Sequence, residues 1–202
     1  SGKILNKLFD SVMRLANSIR DSTEIHKEVL SLGDVALNLI EEKVGLDAKK
    51  KVLLIGTGES AAMVAKTLGQ KEIPFTVTSK TIDRSTNFSQ ILGGTPMEFA
   101  DVLSGFDKFD IVIVATTADY FLIDLERIKL VMQDKKKGTL LLDISEPRAV
   151  EETIMELPGI KLLFRDQVAE IYEENAKLRA GIVPAVEKII DKELPILSAS
   201  MK

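Results

Sequence analysis

The segment Lys51–Ala61, with the sequence KVLLIGTGESA, constrains the fold more than any other stretch of the chain. A short apolar run ends at Gly56 and Gly58, and a helix-like pattern begins immediately afterwards. Gly56 permits a tight turn, Gly58 lets a ligand approach the backbone, and Ala61 is small enough for the helix to pack against the strand. This order is typical of sites that bind the pyrophosphate of a dinucleotide at a helix N-terminus. Similar turns occur in α/β proteins that bind nothing there, so the motif alone leaves both interpretations open.

Strand and helix patterns alternate along the chain that surrounds this turn. Apolar, β-branched runs predict strands at Lys51–Ile55, Phe75–Thr78, Asp110–Ala115, Thr139–Ile144 and Ile160–Phe164. Helical spacing predicts helices at Val29–Val44, Glu59–Leu68, Arg84–Leu92 and Asp124–Gln133, with a connection and a short helix at Thr95–Leu103. We therefore predict an α/β fold, a Rossmann-like doubly wound parallel sheet with flanking helices at both ends. Ligands of such a sheet bind outside the carboxyl ends of its strands.

The two ends of the chain differ from this alternating pattern. Residues 1–20 have the spacing of an amphipathic helix, and a charged helix begins at Asp166. Pro184 predicts a kink in that helix or the start of a second one, and the segment after Pro195 is expected to fray. We expect three parts: a helical segment at 1–48, a dinucleotide-binding domain at 49–165, and a further helix at 166–202.

The composition excludes several classes of site. The chain of 202 residues has no cysteine and one histidine, so a disulfide, a thiolate nucleophile and a zinc site are not expected within it. Its net charge of −4 argues against a large nucleic-acid surface, and no apolar run approaches the ~18 residues that cross a bilayer. A cytoplasmic protein is the natural expectation. His26 is expected to be an exposed or capping residue, and Lys135–Lys137 an exposed turn.

The end of the second predicted strand bears on which dinucleotide would bind. Sites that prefer NAD place a carboxylate about 20 residues after the glycines, whereas this chain has Thr78-Ser79-Lys80-Thr81 there. Hydroxyls and cations are suited to a phosphate, which favours NADP, although a polar surface turn is the alternative. The candidate cofactor contacts are Gly56, Thr57, Gly58, Glu59, Ser60 and Ala61 in the turn, and Ser79, Lys80, Thr81 and Arg84 after the second strand.

Polar residues also follow the two later buried strands. Thr116 and Thr117 would lie near the nicotinamide end of a cofactor, although a threonine that completes a strand end explains them equally well. Asp143 and Arg148 would lie beside the same edge of the sheet. Asp143 is a further candidate for cofactor binding, and the alternative is an ion pair or cap that holds the loop.

Four stretches, in the same order, resemble the central part of the glutamyl-tRNA reductase family. They are Arg20, Thr23 and Ile25 of RDSTEI with the helix that follows at Ser31; the glycine-turn segment VLLIGTGESAAMVAKTL; LLLDISEPRAVE; and Tyr172, Glu174, Asn175 and Arg179 of IYEENAKLR. The chain departs from the family pattern at three places. The family's Asn-Arg-Thr is Ser79-Lys80-Thr81 here, Ala61 replaces the third glycine, and Pro184 interrupts the last helix.

The resemblance implies a function for the complete protein. Members of this family use NADPH to reduce glutamyl-tRNA to glutamate-1-semialdehyde, the first step of the five-carbon route to tetrapyrroles such as haem. In the family, a cysteine of an N-terminal domain forms a thioester that hydride then cleaves. The resemblance further implies a homodimer at full length and a glutamate-1-semialdehyde aminotransferase as a partner. Because this chain has no cysteine, we expect a fragment that contains the whole NADPH domain but does not turn over by itself.

Two alternative functions remain open from the sequence. The first is the cofactor domain of another NADP-dependent dehydrogenase, similar to shikimate dehydrogenase, which would need a catalytic Lys/Asp pair in a separate substrate domain. The second is a non-catalytic module that senses a dinucleotide and uses the terminal helices as a partner surface.

Overall fold

The structure is a computed structural model that describes residues 2–23, 31–132 and 138–199 of the chain. The chain divides into two compact units. One unit is Ser31–Ile171, and the other comprises the described parts of Ser1–Leu30 and Tyr172–Lys202. His26 and Lys135–Lys137 lie outside the described residues.

Within the described residues, a parallel sheet of six strands forms the centre of the unit Ser31–Ile171. The strands are β1 Val52–Ile55, β2 Phe75–Thr78, β3 Thr95–Pro96, β4 Ile111–Val114, β5 Thr139–Asp143 and β6 Ile160–Phe164, in the order β3-β2-β1-β4-β5-β6. Leu54 of β1 lies beside Val77 of β2 on one side and Ile113 of β4 on the other. This order confirms the predicted Rossmann-like fold, and the point where it reverses puts the ligand crevice at the carboxyl ends of β1 and β4.

Helices cover both faces of this sheet. They are α2 Leu32–Val44, α3 Glu59–Gln70, α4 Ile82–Leu92, α5 Phe99–Ser104 and α6 Leu125–Met132. Helix α3 contacts α2 and α4, whereas α5 contacts α6. Leu53 and Ile55 pack in one apolar core with Val102 of α5 and Ile128 of α6. Since side chains alternate along a strand, Leu54 belongs to the opposite face, which explains why β1 is buried throughout.

The edge strand β3 was not predicted from the sequence. Thr95–Pro96 was expected to be part of a connection, but it pairs with β2, and Met97 N–H extends the ladder with a hydrogen bond of 3.0 Å to Val77 O. Two paired residues show no periodicity that a pattern could detect. A proline is tolerated there because an edge strand has one side without ladder partners.

The terminal helices are longer and more continuous than expected. Helix α1 spans Gly2–Thr23, as the amphipathic spacing predicts, and α7 spans Arg165–Ala199. Both Pro184 and Pro195 lie inside α7, so no second helix begins at Pro184 and the helix continues beyond Pro195. An interior proline removes one hydrogen bond and crowds the carbonyl four residues earlier, yet the helix continues past both positions. Among the described helices, none combines the length and apolar character that a membrane span requires.

Helix α2 belongs to the same compact unit as the sheet, although the sequence partition assigned residues 1–48 to a separate part. Ser31 caps α2 in a reciprocal box with Asp34, whose carboxylate accepts the Ser31 N–H at 2.8 Å. Asp34 also accepts the Thr67 hydroxyl of α3 at 2.9 Å. A Cβ on Gly33 would lie 2.4 Å from Met63 O, so the two helix backbones touch at this glycine. The cap and the close approach together explain why α2 begins at Leu32 and packs on α3.

The carboxylate of Asp34 is held in its charged form. Burial by itself raises the pKa of Asp34, but hydrogen bonds from Ser31 and Thr67 and the charge of Lys71 outweigh that effect and lower the pKa below its ordinary 3.8. The folded state therefore gains stability from this group above the ordinary pKa, and loses it as the pH falls through the lowered value.

Replacement of Asp34 by alanine is expected to lower the free energy of unfolding by about 1–2 kcal/mol at neutral pH, because the cap and the inter-helix bond are both lost. Thr67→Val is the matched control and should show a smaller loss, since it leaves the cap intact. Denaturant titrations of wild type and Asp34→Asn should show a stability difference that shrinks as the pH falls through the lowered pKa. A difference independent of pH would contradict this role of the Asp34 charge.

Candidate dinucleotide-binding site

The glycine turn is tied to both strands that flank β1. Gly56 N–H donates to Thr78 O of β2 at 2.8 Å, and Ala115 N–H, just after β4, donates to Ile55 O at 2.8 Å. Gly56 has a φ of +122°, and a Cβ built on it would lie 1.9 Å from Ala115 O. Only glycine meets both requirements, the positive φ and the contact with a backbone carbonyl.

Gly58 leaves the N-terminus of α3 open. It is the N-cap of that helix, has extended backbone angles, and supplies no side-chain cap. The first-turn N–H groups of a helix have no intrahelical partners, and together with the helix dipole they attract an anion. A Cβ on Gly58 would meet nothing within 4 Å, so the space that a ligand phosphate needs is present. The glycine turn thus fits a pyrophosphate on the geometry of the protein alone.

A cleft of about 1350 Å³ opens above this turn. Its floor is the segment Ile55–Ser60 together with the loop Ala115–Tyr120 that follows β4. One wall comes from Ser79, Lys80 and helix α4, and the other from α5, Leu122 and α6. The wall residues are Ser79, Lys80, Arg84, Asn87, Phe88 and Ile91 on the first side, and Phe99, Leu103, Leu122 and Arg127 on the second.

Most of the candidate residues from the sequence line this cleft. They are Gly56, Thr57, Gly58, Glu59, Ser60, Ser79, Lys80, Arg84, Thr116 and Thr117. Ala61 does not line it because its side chain is buried where α3 packs on the sheet. Thr81 does not line it either; it is the N-cap of α4, and its carbonyl accepts the Ser79 hydroxyl at 3.0 Å.

Asp143 is the third candidate that lies outside the cleft lining. Its carboxylate is 1% exposed and accepts three backbone N–H groups, from Ser145 at 2.9 Å, Ala149 at 2.8 Å and Val150 at 2.9 Å. These bonds fold the loop after β5 around the carboxylate. The geometry matches the alternative that the sequence left open, a group that holds the loop.

Arg148 is also engaged away from the cleft. Its guanidinium bonds to Asp166 at 2.9 Å and lies over the ring of Phe164, 4.1 Å from the centroid. Glu152 approaches it at 3.7 Å. The ion pair that the sequence left open therefore exists, but its partners are acids other than Asp143.

The loop after β4 carries the two predicted threonines. Thr116 N–H donates to the Ser145 hydroxyl at 3.1 Å, and the Thr116 hydroxyl accepts Ala118 N–H at 3.3 Å. Thr116 thus shapes the loop, as the second of its two sequence interpretations expects, and it also lines the cleft. Thr117 is exposed and lines the cleft.

The apolar part of the cleft was not predicted. Phe88, Ile91, Phe99 and Leu103 belong to helices on opposite faces of the sheet, and the sequence gives no sign that they meet. Beneath the turn, the Thr78 hydroxyl is buried without a hydrogen-bond partner among the described residues. Within that part of the chain, no group of three or more acidic, histidine or cysteine side chains is arranged to hold a metal ion.

Comparison with known proteins shows the family and supports the fold. The protein family described as shikimate/quinate 5-dehydrogenase matches residues 38–171. A glutamyl-tRNA reductase of Cenarchaeum symbiosum is 42% identical over 201 residues, which cover 100% of this chain and 48% of that protein. One of Methanococcus aeolicus is 36% identical, covering 99% of this chain and 51% of that protein. The chain therefore spans about half the length of the curated relatives it matches, and these relatives confirm the resemblance inferred from the sequence.

Solved structures give the same result. The glutamyl-tRNA reductase of Methanopyrus kandleri superposes with a TM-score of 0.76 at 28% identity, covering 98% of this chain and 50% of that chain. A shikimate dehydrogenase solved in complex with NADP+ superposes with a TM-score of 0.54 at 18% identity, covering 80% of this chain and 61% of that chain. The second likeness shows the shared fold alone.

The two glycines of the turn should respond differently to an added methyl group. Gly56→Ala is expected to lower the free energy of unfolding by about 3 kcal/mol or to prevent folding, because the Cβ collides with the Ala115 carbonyl at a strained φ. Gly58→Ala is the matched control and should change stability little, since its Cβ enters open space. Thermal unfolding of both variants measures the contrast. Equal stability of the two would show that the contact at Ala115 does not dictate glycine.

Proposed function

This chain belongs to the shikimate/quinate 5-dehydrogenase family, and from that premise we propose that it is the NADPH-binding domain of a glutamyl-tRNA reductase. The observation that carries the proposal is the 42% identity over the full chain to a protein of that name. The complete protein would reduce glutamyl-tRNA to glutamate-1-semialdehyde. The assignment to a Rossmann-type domain of an oxidoreductase family rests on the strand order and on the family match.

The residues of the cleft are suited to hold the cofactor. We propose that the N–H groups at the start of α3 and the Gly56–Gly58 turn bind the pyrophosphate, with Thr57 and Ser60 beside it. Thr116 and Thr117, in the loop after β4, would contact the ribose and the nicotinamide side. The bound cofactor would supply hydride. This chain would orient the cofactor and exclude water from the floor of the cleft.

The wall formed by α4 supports a preference for NADPH. Lys80 and Arg84 line the cleft with exposed side chains, and both are cations at neutral pH. The Ser79 hydroxyl bonds to Thr81 O at 3.0 Å and lies 3.0 Å from the Ser85 hydroxyl, which fixes the turn that presents Lys80. A 2′-phosphate at this end of the cleft would meet two positive charges.

The rest of the proposed reaction needs groups that this chain does not contain. The chain has no cysteine to form the thioester that the family resemblance implies. We therefore propose that the chain alone binds the cofactor but does not turn over. In the complete protein, glutamyl-tRNA would be the substrate, the protein would form a cytoplasmic homodimer, and an aminotransferase would receive the semialdehyde.

A second candidate is the cofactor domain of a shikimate-type dehydrogenase. The description of the matching family favours it. The full-chain relatives at 36–42% identity favour the first candidate, because they are named glutamyl-tRNA reductases.

A chimera tests the two candidates directly. The chain replaces the corresponding half of the Cenarchaeum symbiosum reductase, and semialdehyde formation from glutamyl-tRNA and NADPH is measured beside shikimate-dependent reduction of NADP+. We expect semialdehyde formation, and its loss when Gly58→Val blocks the phosphate space. A folded chimera that binds NADPH and forms no semialdehyde would contradict the first candidate, and turnover of shikimate would establish the second.

Lys80→Ala is expected to weaken NADPH binding about fivefold to tenfold and NADH binding less than about twofold, because only NADPH carries the 2′-phosphate. Calorimetric titration of the chain with each cofactor gives both affinities. Lys80→Arg, which keeps the charge, should retain the preference, and added salt should reduce it. Equal losses for the two cofactors would place Lys80 away from the 2′-phosphate.

A further inference from the structure

Arg127 of α6 is held in place at the wall of the cleft opposite α4. Its Nε bonds to Asp124 Oδ2 at 3.0 Å, and its Nη1 donates to Leu122 O at 2.9 Å. Asp124 also accepts the backbone N–H of Arg127 at 2.9 Å, so one carboxylate holds both the backbone and the guanidinium of this residue. Glu151 accepts the Leu125 N–H at 2.9 Å and anchors the start of the helix from the other side.

These contacts fix the orientation of the guanidinium plane of Arg127 and leave little of its positive charge for a ligand. The positive charge of Arg127 is compensated by Asp124. A guanidinium that binds a phosphate instead directs two parallel N–H groups at the ligand. Two contacts along the guanidinium edge restrict its rotation, and the side chain remains 43% exposed. An arginine held in this way is suited to lie flat on an aromatic ring.

The surroundings of Arg127 are suited to a flat, largely apolar group. Leu122, Phe99 and Leu103 line the same wall, and Phe88 and Ile91 line the wall of α4. Lys80 and Arg84, the proposed contacts of the 2′-phosphate, share the α4 wall with these apolar side chains. Since the 2′-phosphate and the adenine are attached to one ribose, the proposed site puts one face of the base against the α4 wall and leaves its other face toward the opposite wall, which Arg127 lines.

We propose that Arg127 is a cofactor-binding residue whose guanidinium stacks on the adenine ring of the dinucleotide. The inference rests on the proposed cofactor site and adds a residue that no glycine motif or basic turn indicates. Asp124 acts through Arg127 as a positioning residue. Because adenine is common to NADPH, NADH and adenosine 2′,5′-bisphosphate, the contribution of Arg127 should be the same for all three.

Calorimetric titration of Arg127→Ala with these three ligands tests the proposal. We expect affinity to fall about fivefold to tenfold for each of them, with equal factors. Arg127→Lys should not restore it, because an ammonium has no planar face. Lys129→Ala, which removes an exposed cation from the same helix outside the cleft lining, is the matched control and should leave all three affinities unchanged. Circular dichroism verifies that each variant is folded.

Other outcomes overturn the proposal in distinguishable ways. A larger loss for NADPH than for NADH, or full rescue by lysine, would make Arg127 a phosphate contact. A loss for the dinucleotides but not for the bisphosphate would place it at the nicotinamide half, and no loss would remove it from the site. If the wild-type chain binds neither dinucleotide, the proposed function fails for this chain and the inference fails with it.

Discussion

The contact between the Gly56 turn and the end of β4 is the constraint on which the site depends. The turn donates to β2 through Gly56 N–H and presses against the Ala115 carbonyl beyond β4, so its position relative to both strands is fixed. Helix α3 begins at Glu59, three residues after Gly56. Its N-terminus is consequently directed at the crevice where the strand order reverses. The anion-binding end of α3 is thus set by backbone packing, and it needs no charged side chain to position it.

Polar residues at the carboxyl edge of the sheet divide into two groups. Asp143 and Thr116 accept backbone N–H groups of their own loops, and the Ser145 hydroxyl accepts the Thr116 N–H of the neighbouring loop, so these residues shape the loops beside the cleft. Lys80 and Arg84 have exposed side chains in the cleft, where a charged ligand can reach them. A buried carboxylate with several N–H donors is stable only while those donors stay in place, so Asp143 holds the loop after β5 in the observed conformation.

The sequence predicted what periodicity and turn chemistry can encode. Continuous apolar runs located β1, β4 and β5, and the glycine turn located the crevice, because those signals are local. It missed β3, which is two paired residues stabilised by a neighbouring strand. For Asp143 it left two interpretations open, a cofactor contact and a group that holds the loop, because the sequence pattern of a carboxylate at the end of a strand is the same in both cases. Arg127 and Phe99 were missed for a third reason: they reach the cleft from helices on the far face of the sheet, and only the assembled fold brings them to it.

The described residues that line the cleft all belong to the unit Ser31–Ile171. They form the proposed cofactor site, whereas the proposed reaction needs a nucleophile that the chain does not contain. This separation explains why the fold says little about the reaction. One fold can carry different activities, and the likeness to a shikimate dehydrogenase at 18% identity shows the shared fold alone. Along the whole chain, the sequence is similar to proteins named glutamyl-tRNA reductases, and the reaction proposed above rests on that similarity and not on the fold.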